Sequence, residues 1–261
     1  MLRAFGFSDK GRVRPINEDC FAIHEALGLC VIADGMGGHN AGEVAAQLAV
    51  DAVVQVIRDP DAALARRAGA NGDGGWPFGY DPSLTENGNL LRTAVHVAST
   101  QVLEAASTEE LAGMGTTIVA ARVDEGRLAV AHAGDSRLYV LAAGRLCQIT
   151  QDDSWIASML AENPSADVEA LRLHPMRNAL TNVVGARTPT TVHVAEHTLT
   201  GGERLLLSTD GVHGVLDGAR LERMMSAGDD PQLIARKLIS EALACGSRDN
   251  CTAVVAEYRP A

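Results

Sequence analysis

Positive charge is scarce in this 261-residue chain: 22 lysines and arginines stand against 33 aspartates and glutamates, a formal net charge of -11. That balance argues against nonspecific attraction to nucleic acid or to an anionic membrane surface. Paired cysteines are missing as well. Cys20, Cys30, Cys147, Cys245 and Cys251 are odd in number, scattered, and form no Cys-x-x-Cys motif. A zinc knuckle or thioredoxin-type redox site is therefore not expected, and the cysteines read as reduced packing residues. No apolar run approaches the roughly 18 residues of a membrane span, and Met1-Leu2-Arg3-Ala4-Phe5-Gly6 lacks the apolar core of a signal peptide. The expectation is a soluble, cytoplasmic chain without a membrane partner. His24, His96, His132, His174, His193, His197 and His213 offer no i, i+4 pair on a helical face, and there is no Gly-x-x-x-x-Gly-Lys-Ser/Thr loop. Zinc-protease and P-loop ATPase chemistry fall away together. No internal repeat suggests a solenoid or propeller.

What is present suits one domain over residues 1–261, since 46% hydrophobic residues are enough to bury an ordinary core. Short β-like runs occur at 21–24, 27–33, 116–123, 127–133, 137–141, 192–195, 204–208 and 251–258. Many are separated by a few turn residues, which favours antiparallel hairpins. Helical periodicity marks 41–57 and 90–106, then 219–226 and 231–245 before the last strand. Strands and helices grouped in blocks imply an α+β layered fold. Two segments interrupt the plan: 69–89, a long loop with Trp76, Phe78 and Tyr80 as an aromatic anchor, and 152–189, with weak helical patterns at 154–161 and 168–173.

The most informative residues are acids at strand ends. Asp34 closes the run Leu29-Cys30-Val31-Ile32-Ala33 and is followed by Gly35-Met36-Gly37-Gly38. Asp210 closes Leu205-Leu206-Leu207-Ser208-Thr209 and is followed by Gly211; Asp249 immediately precedes Asn250 and the apolar run that starts at Cys251. A glycine after the acid lets the backbone approach whatever the carboxylate holds. Three hard carboxylates meeting at neighbouring strand ends point to magnesium or manganese. An acidic protein that binds phosphate needs such local cations, or arginines. Arg14 and Glu18 lie four residues apart in a polar segment, where the guanidinium is able to grip a phosphate in bidentate fashion. Asp135, in Gly134-Asp135-Ser136-Arg137, reads on its own as a hairpin turn. Each acid and glycine pair taken singly has that same plain reading.

In combination, Arg14 to Asp19, Asp34-Gly35-Met36-Gly37-Gly38-His39, Gly115-Thr116-Thr117, Gly134-Asp135-Ser136-Arg137, Ser208-Thr209-Asp210-Gly211 and Asp249-Asn250 resemble the metal-dependent serine/threonine protein phosphatases of type 2C in their bacterial form. The resemblance implies a four-layer α-β-β-α sandwich, two central antiparallel sheets with helices on both outer faces. It implies two Mn2+ or Mg2+ ions and a weaker third. Asp34 would bridge the pair, Gly35 would ligate through its carbonyl oxygen, and Asp210 and Asp249 would complete the first ion. Asp135, with Asp210, would hold the third. Glu18 would hold metal-bound water and Arg14 the substrate phosphate, while Asn250 would orient Asp249 or support a water. Residues 152–190 would form a flap, with Trp155 as its anchor. The implied catalytic set is Arg14, Glu18, Asp34, Asp210 and Asp249. A metal-bound hydroxide would attack phosphorus directly, without a phosphoenzyme, and no cysteine starts a Cys-x5-Arg loop for a thiol mechanism. The implied substrates are phosphoserine and phosphothreonine proteins, including a serine/threonine kinase that the enzyme opposes, with the chain itself a monomer. Three positions depart from the pattern. Met36 stands where eukaryotic relatives carry a histidine, His39 three residues on reads as a polar residue before a helix, and Asn182 stands where relatives often carry arginine. A noncatalytic phosphoprotein-binding module and a hydrolase of small phosphate esters remain the alternatives.

Overall fold

Strands that read as unbroken apolar runs do so because both of their faces are covered. The structure, a computed structural model, describes residues 1–38, 41–65, 76–188 and 190–260. One antiparallel sheet runs in the order β1 (Leu2–Asp9), β11 (Cys251–Tyr258), β10 (Arg204–Ser208), β7 (Arg137–Ala142), β8 (Arg145–Gln148). The other runs β2 (Asp19–His24), β3 (Leu29–Met36), β5 (Ile118–Asp124), β6 (Arg127–Ala133), β9 (His193–Thr198), and β4 (Gly115–Thr116) pairs the end of β3. Leu205 and Leu207 point between the sheets, where they meet Cys30, Ile32 and Val254, while Leu206 points outward to Ile234 and Leu238. β3 splits likewise, with Cys30 and Ile32 inward and Val31 and Ala33 against helices. Each such leucine or isoleucine contributes about 1.5–3 kcal/mol of burial.

Helices α1 (Ala41–Arg58) and α3 (Glu86–Ala105) cover the second sheet; α2 (Pro60–Ala65) follows α1. Ala45, Ala49, Ala52, Ala94 and Ala98 are fully buried there, so small side chains let α1 and α3 lie close together over the sheet. Beyond β8, α4 (Trp155–Glu162) and α5 (Val168–Arg172) occupy the segment leading to β9. The outer face of the first sheet is covered by α6 (Asp210–His213), α7 (Gly218–Met225) and α8 (Pro231–Ala244). The aspartates Asp217 and Asp230 cap α7 and α8 by accepting from the amides of Arg220 and Leu233. The result is the four-layer α-β-β-α sandwich expected from the sequence.

Several elements differ from the sequence reading. β1 was not expected, because Phe5 and Phe7 alternate with Ala4 and Gly6 rather than with charged residues. It forms by pairing with β11 from Leu2↔Tyr258 to Asp9↔Cys251, and Phe5 and Phe7 sit under the Arg236 guanidinium. The expected loop over 69–89 ends early: Thr85 accepts from the Gly88 amide, and α3 starts at Glu86. Trp76 and Phe78 pack against the α1–α3 core, as an anchor should, and the loop's first residues, 69–75, lie outside the described residues. The Asp210-Gly211 pair opens the short helix α6 instead of a hairpin.

Gly211 illustrates the constraint behind that pair. A Cβ there would stand 1.8 Å from the Asn250 carbonyl oxygen, so only glycine lets α6 rest against the start of β11. Gly211→Ala is expected to lower stability by about 1–3 kcal/mol, read from the midpoint of urea unfolding; an unchanged midpoint would contradict the close packing.

Candidate metal centre

Antiparallel pairing brings strand ends and strand starts to one edge of the sandwich. In the second sheet, β2 and β3 register Asp19 opposite Asp34. Asp34 is held in place from both sides of its peptide: its amide donates to Thr117 Oγ1 (3.1 Å) and its carbonyl accepts from the Thr117 amide (2.9 Å). The Gly35 amide donates to the Glu18 carbonyl at 3.1 Å, and a Cβ on Gly35 would lie 2.0 Å from the Gly42 carbonyl oxygen. The glycine after Asp34 is thus the contact between β3 and the first turn of α1. In the first sheet, Ser208 pairs with Ala253 and with Arg137, so Asp210, Asp249 and Asp135 leave three adjacent strands at the same end.

All seven residues singled out in the sequence, Arg14, Glu18, Asp34, Gly35, Asp135, Asp210 and Asp249, line one cavity of about 230 Å3. Met36, Asn178 and Leu180 also line it. Burial pushes the Asp34 carboxyl well above its ordinary range, and the charges of Asp19, Asp210, Asp135 and Asp249 push it further. Burial and the neighbouring Asp210 raise Asp135 to about 7, and burial with the neighbouring Asp249 raises Asp210 to about 6. Burial raises Glu18 as well, with Arg14 opposing the shift. Asp249 instead meets the Arg14 guanidinium at 2.7 Å, and that hydrogen bond is the main reason the Arg14 pKa is raised.

The donor set fits a hard divalent cation: oxygen ligands of like charge, largely removed from water, with the buried Oδ1 of Asp210 lacking any hydrogen-bond partner. Among the described residues no three of these side chains converge into a finished coordination cluster. The Arg14–Asp249 pair accounts for part of this, since Asp249 is turned toward the guanidinium.

Some residues of the site were missed or misjudged in the sequence. Asp19 is half-buried beside Asp34 and accepts from Thr209 Oγ1 (2.9 Å) and Thr252 Oγ1 (2.6 Å), while its buried Oδ1 has no partner. Burial raises it to about 7 against the pull of those two hydroxyls. The signal was its place next to Glu18 at the start of a strand. Asp152 grips Arg137 through two bonds of 2.9 and 2.7 Å, which fixes the chain just beyond Asp135. The side chain of Asn250 does not orient Asp249; its backbone amide does, at 2.8 Å. The side chain accepts from the Glu18 amide and donates to the carbonyls of Lys10 and Ile16, clamping the segment that carries Arg14. Trp155 stacks on His174 at 4.2 Å within the segment between β8 and β9. His39 lies outside the described residues.

The profile of the family described as protein phosphatase 2C matches residues 13–243. The chain belongs to the protein phosphatase 2C family. Among its relatives in that family is the serine/threonine protein phosphatase PstP of Mycobacterium tuberculosis, 34% identical over 98% of this chain and 45% of the relative. This chain therefore spans less than half the length of that protein. The serine/threonine phosphatase stp of Listeria innocua is 30% identical over 96% of this chain and 93% of its own length. The solved catalytic domain of PstP in complex with two manganese ions is similar in fold, with a TM-score of 0.77 at 31% identity and 99% of each chain covered.

The carboxylate shifts make a prediction for this 2C family member. A carboxyl with a raised folded pKa binds protons more tightly folded than unfolded, so its contribution to stability falls as pH rises from the unfolded value to about 7. In chelator, Asp135→Asn is expected to have a higher Tm than wild type at about pH 7.5 and a flatter dependence between about pH 5.5 and 7.5. Parallel Tm curves for the two proteins would contradict the mutual repulsion of the cluster.

Proposed function

We propose that this chain is a metal-dependent protein serine/threonine phosphatase acting on phosphoserine and phosphothreonine side chains of proteins. The observation that carries this reading is the meeting of Asp34, Asp210, Asp249 and Arg14 in one cavity. Asp34, the Gly35 carbonyl, Asp210 and Asp249 would hold two divalent cations, and Asp135 with Asp210 would hold a weaker third. Manganese is the first metal to test, since the PstP catalytic domain takes two manganese ions. Bound divalent cations supply Lewis-acid charge at the phosphoryl oxygens and acidify a water nucleophile.

The protein's own groups then have separable tasks. Asp249 and Arg14 satisfy one another at 2.7 Å; with Asp249 engaged as a ligand, the guanidinium would be free to grip the phosphate with two parallel N–H donors. Glu18, held by Asn250 at its amide and set against the first turn of α1, would accept hydrogen bonds from water beside a bound cation. Met36 lines the cavity and has no proton to give, so the leaving alkoxide takes its proton elsewhere. Residues 152–190 act as a flap, contributing Asn178 and Leu180 to the cavity wall. Among the described residues no helix is long and apolar enough to cross a membrane; a cytoplasmic monomer opposing a serine/threonine kinase is the setting we infer.

Purified protein is expected to release phosphate from a phosphothreonine peptide with manganese, and chelator should abolish the release. Phosphotyrosine peptide and nucleotide serve as controls, and silence on every substrate despite bound metal would favour a binding module. Asp34→Ala or Asp210→Ala should reduce turnover by about 100-fold or more; near-normal rates in either would defeat the assignment. Arg14→Ala should raise KM for the peptide about 10-fold to 100-fold, the worth of a charged hydrogen-bonding pair, and unchanged saturation would remove Arg14 from the phosphate site.

A further inference from the structure

The acid doublet Asp152-Asp153 straddles the turn that carries Asp135. Asp152 holds Arg137 on one side of that turn, and Asp153 holds Gly134 on the other. Asp153 does more than this. Its backbone amide donates to the Gly134 carbonyl at 3.0 Å, and its Oδ2 accepts from the Gly134 amide at 3.0 Å and from Asn182 Nδ2 at 2.7 Å. Its Oδ1 meets His193 Nε2 at 2.9 Å, and its carbonyl accepts from the Thr181 amide at 2.8 Å. One side chain, only 14% exposed, thereby joins the Asp135 turn, both ends of the 154–181 segment, and β9. The segment leaves and returns side by side, with Ser154 bridged to Leu180 and the Trp155 amide donating to the Ala179 carbonyl at 2.8 Å. Asn182 extends the join, since it also exchanges hydrogen bonds with the Thr191 backbone in both directions.

We propose that Asp153 is a positioning residue that locks the base of the 154–181 segment to the Asp135 turn. Asn178 and Leu180, which reach the cavity from that segment, then keep a fixed relation to Asp135, which lines the same cavity. The lock is geometric, not a matter of charge. An asparagine at 153 keeps one oxygen to accept from Gly134 and Asn182, and its amide donates to His193 Nε2 in the alternative ring tautomer. Alanine leaves two buried donors, the Gly134 amide and the Asn182 side chain, without their shared acceptor. The consequence for turnover rests on the phosphatase reading; the lock itself does not.

Hydrogen exchange of the full chain tests the lock without any catalytic readout. In Asp153→Ala, the amides of Trp155 and Thr181 should exchange about 10-fold faster or more, while those of Leu206 and Val254 in the central strands keep their rates. Asp153→Asn should exchange like wild type. With manganese, Asp153→Ala should raise KM for a phosphothreonine peptide about 5-fold to 10-fold and leave kcat/KM for p-nitrophenyl phosphate within about 2-fold, with Asp153→Asn restoring the peptide KM. Unchanged exchange in Asp153→Ala overturns the proposal, as does acceleration that spreads to β10 and β11, or an Asp153→Asn variant as loose as the alanine. If wild type releases no phosphate from any substrate, the phosphatase reading fails while the exchange data still decide the lock.

Discussion

Carboxylates that repel one another in a space with little water are the constraint on which the rest of this molecule turns. Asp19, Asp34, Asp135 and Asp210 are each pushed upward first by burial and then by neighbouring acids. Such a cluster costs stability whenever it is ionised and uncompensated. Hydrophobic layers on either side oppose that cost. Leu205 and Leu207 seal the space between the sheets, and Leu206 and Val31 tie each sheet to its helices. The sandwich can thus hold a destabilising edge in place, and that edge is where the proposed cations would relieve most repulsion.

Positions in the cluster are set by backbone contacts more than by side-chain packing. Gly35 and Gly211 follow the two acids that close strands, and each sits where a Cβ would collide with a carbonyl oxygen, that of Gly42 or that of Asn250. Thr117 fixes Asp34, Asn250 fixes Glu18 and the Arg14 segment, and Asp152 fixes the chain beyond Asp135. Thr117 and Asn250 are themselves buried and Asp152 is doubly bonded to Arg137, so a small shift in any of them moves a residue of the cluster. Arg14 is the exception. Its side chain is 47% exposed and pairs with Asp249, which suits the change of partner proposed for phosphate binding.

Legibility in the sequence followed the physics of each element. Leu29 to Asp34 and Leu205 to Asp210 stood out because two-sided burial writes a continuous apolar run and the acid ends it. β1 did not, since its aromatic residues owe their burial to Arg236 and α8 and only pairing with β11 makes it a strand. Asp19 was given no role of its own, since its place after Glu18 was the one local mark and its importance comes from the cross-strand register with Asp34, 15 residues away. The side chain of Asn250 was read locally, next to Asp249, when its partners are the distant carbonyls of Lys10 and Ile16. Asn182 stood out only as a departure from the family pattern, and its partners Asp153 and Thr191, not its neighbours in the chain, are brought to it by the fold.

Counting bound ions tests most directly whether the carboxylate cluster is a divalent-cation site. Manganese titrated into the chelator-stripped protein, with free ion followed by electron paramagnetic resonance, should show two tight equivalents per chain that are lost in Asp34→Asn. Weak binding indistinguishable from that of the Asp34→Asn variant would contradict it, and would leave the buried acids without a cation to explain them.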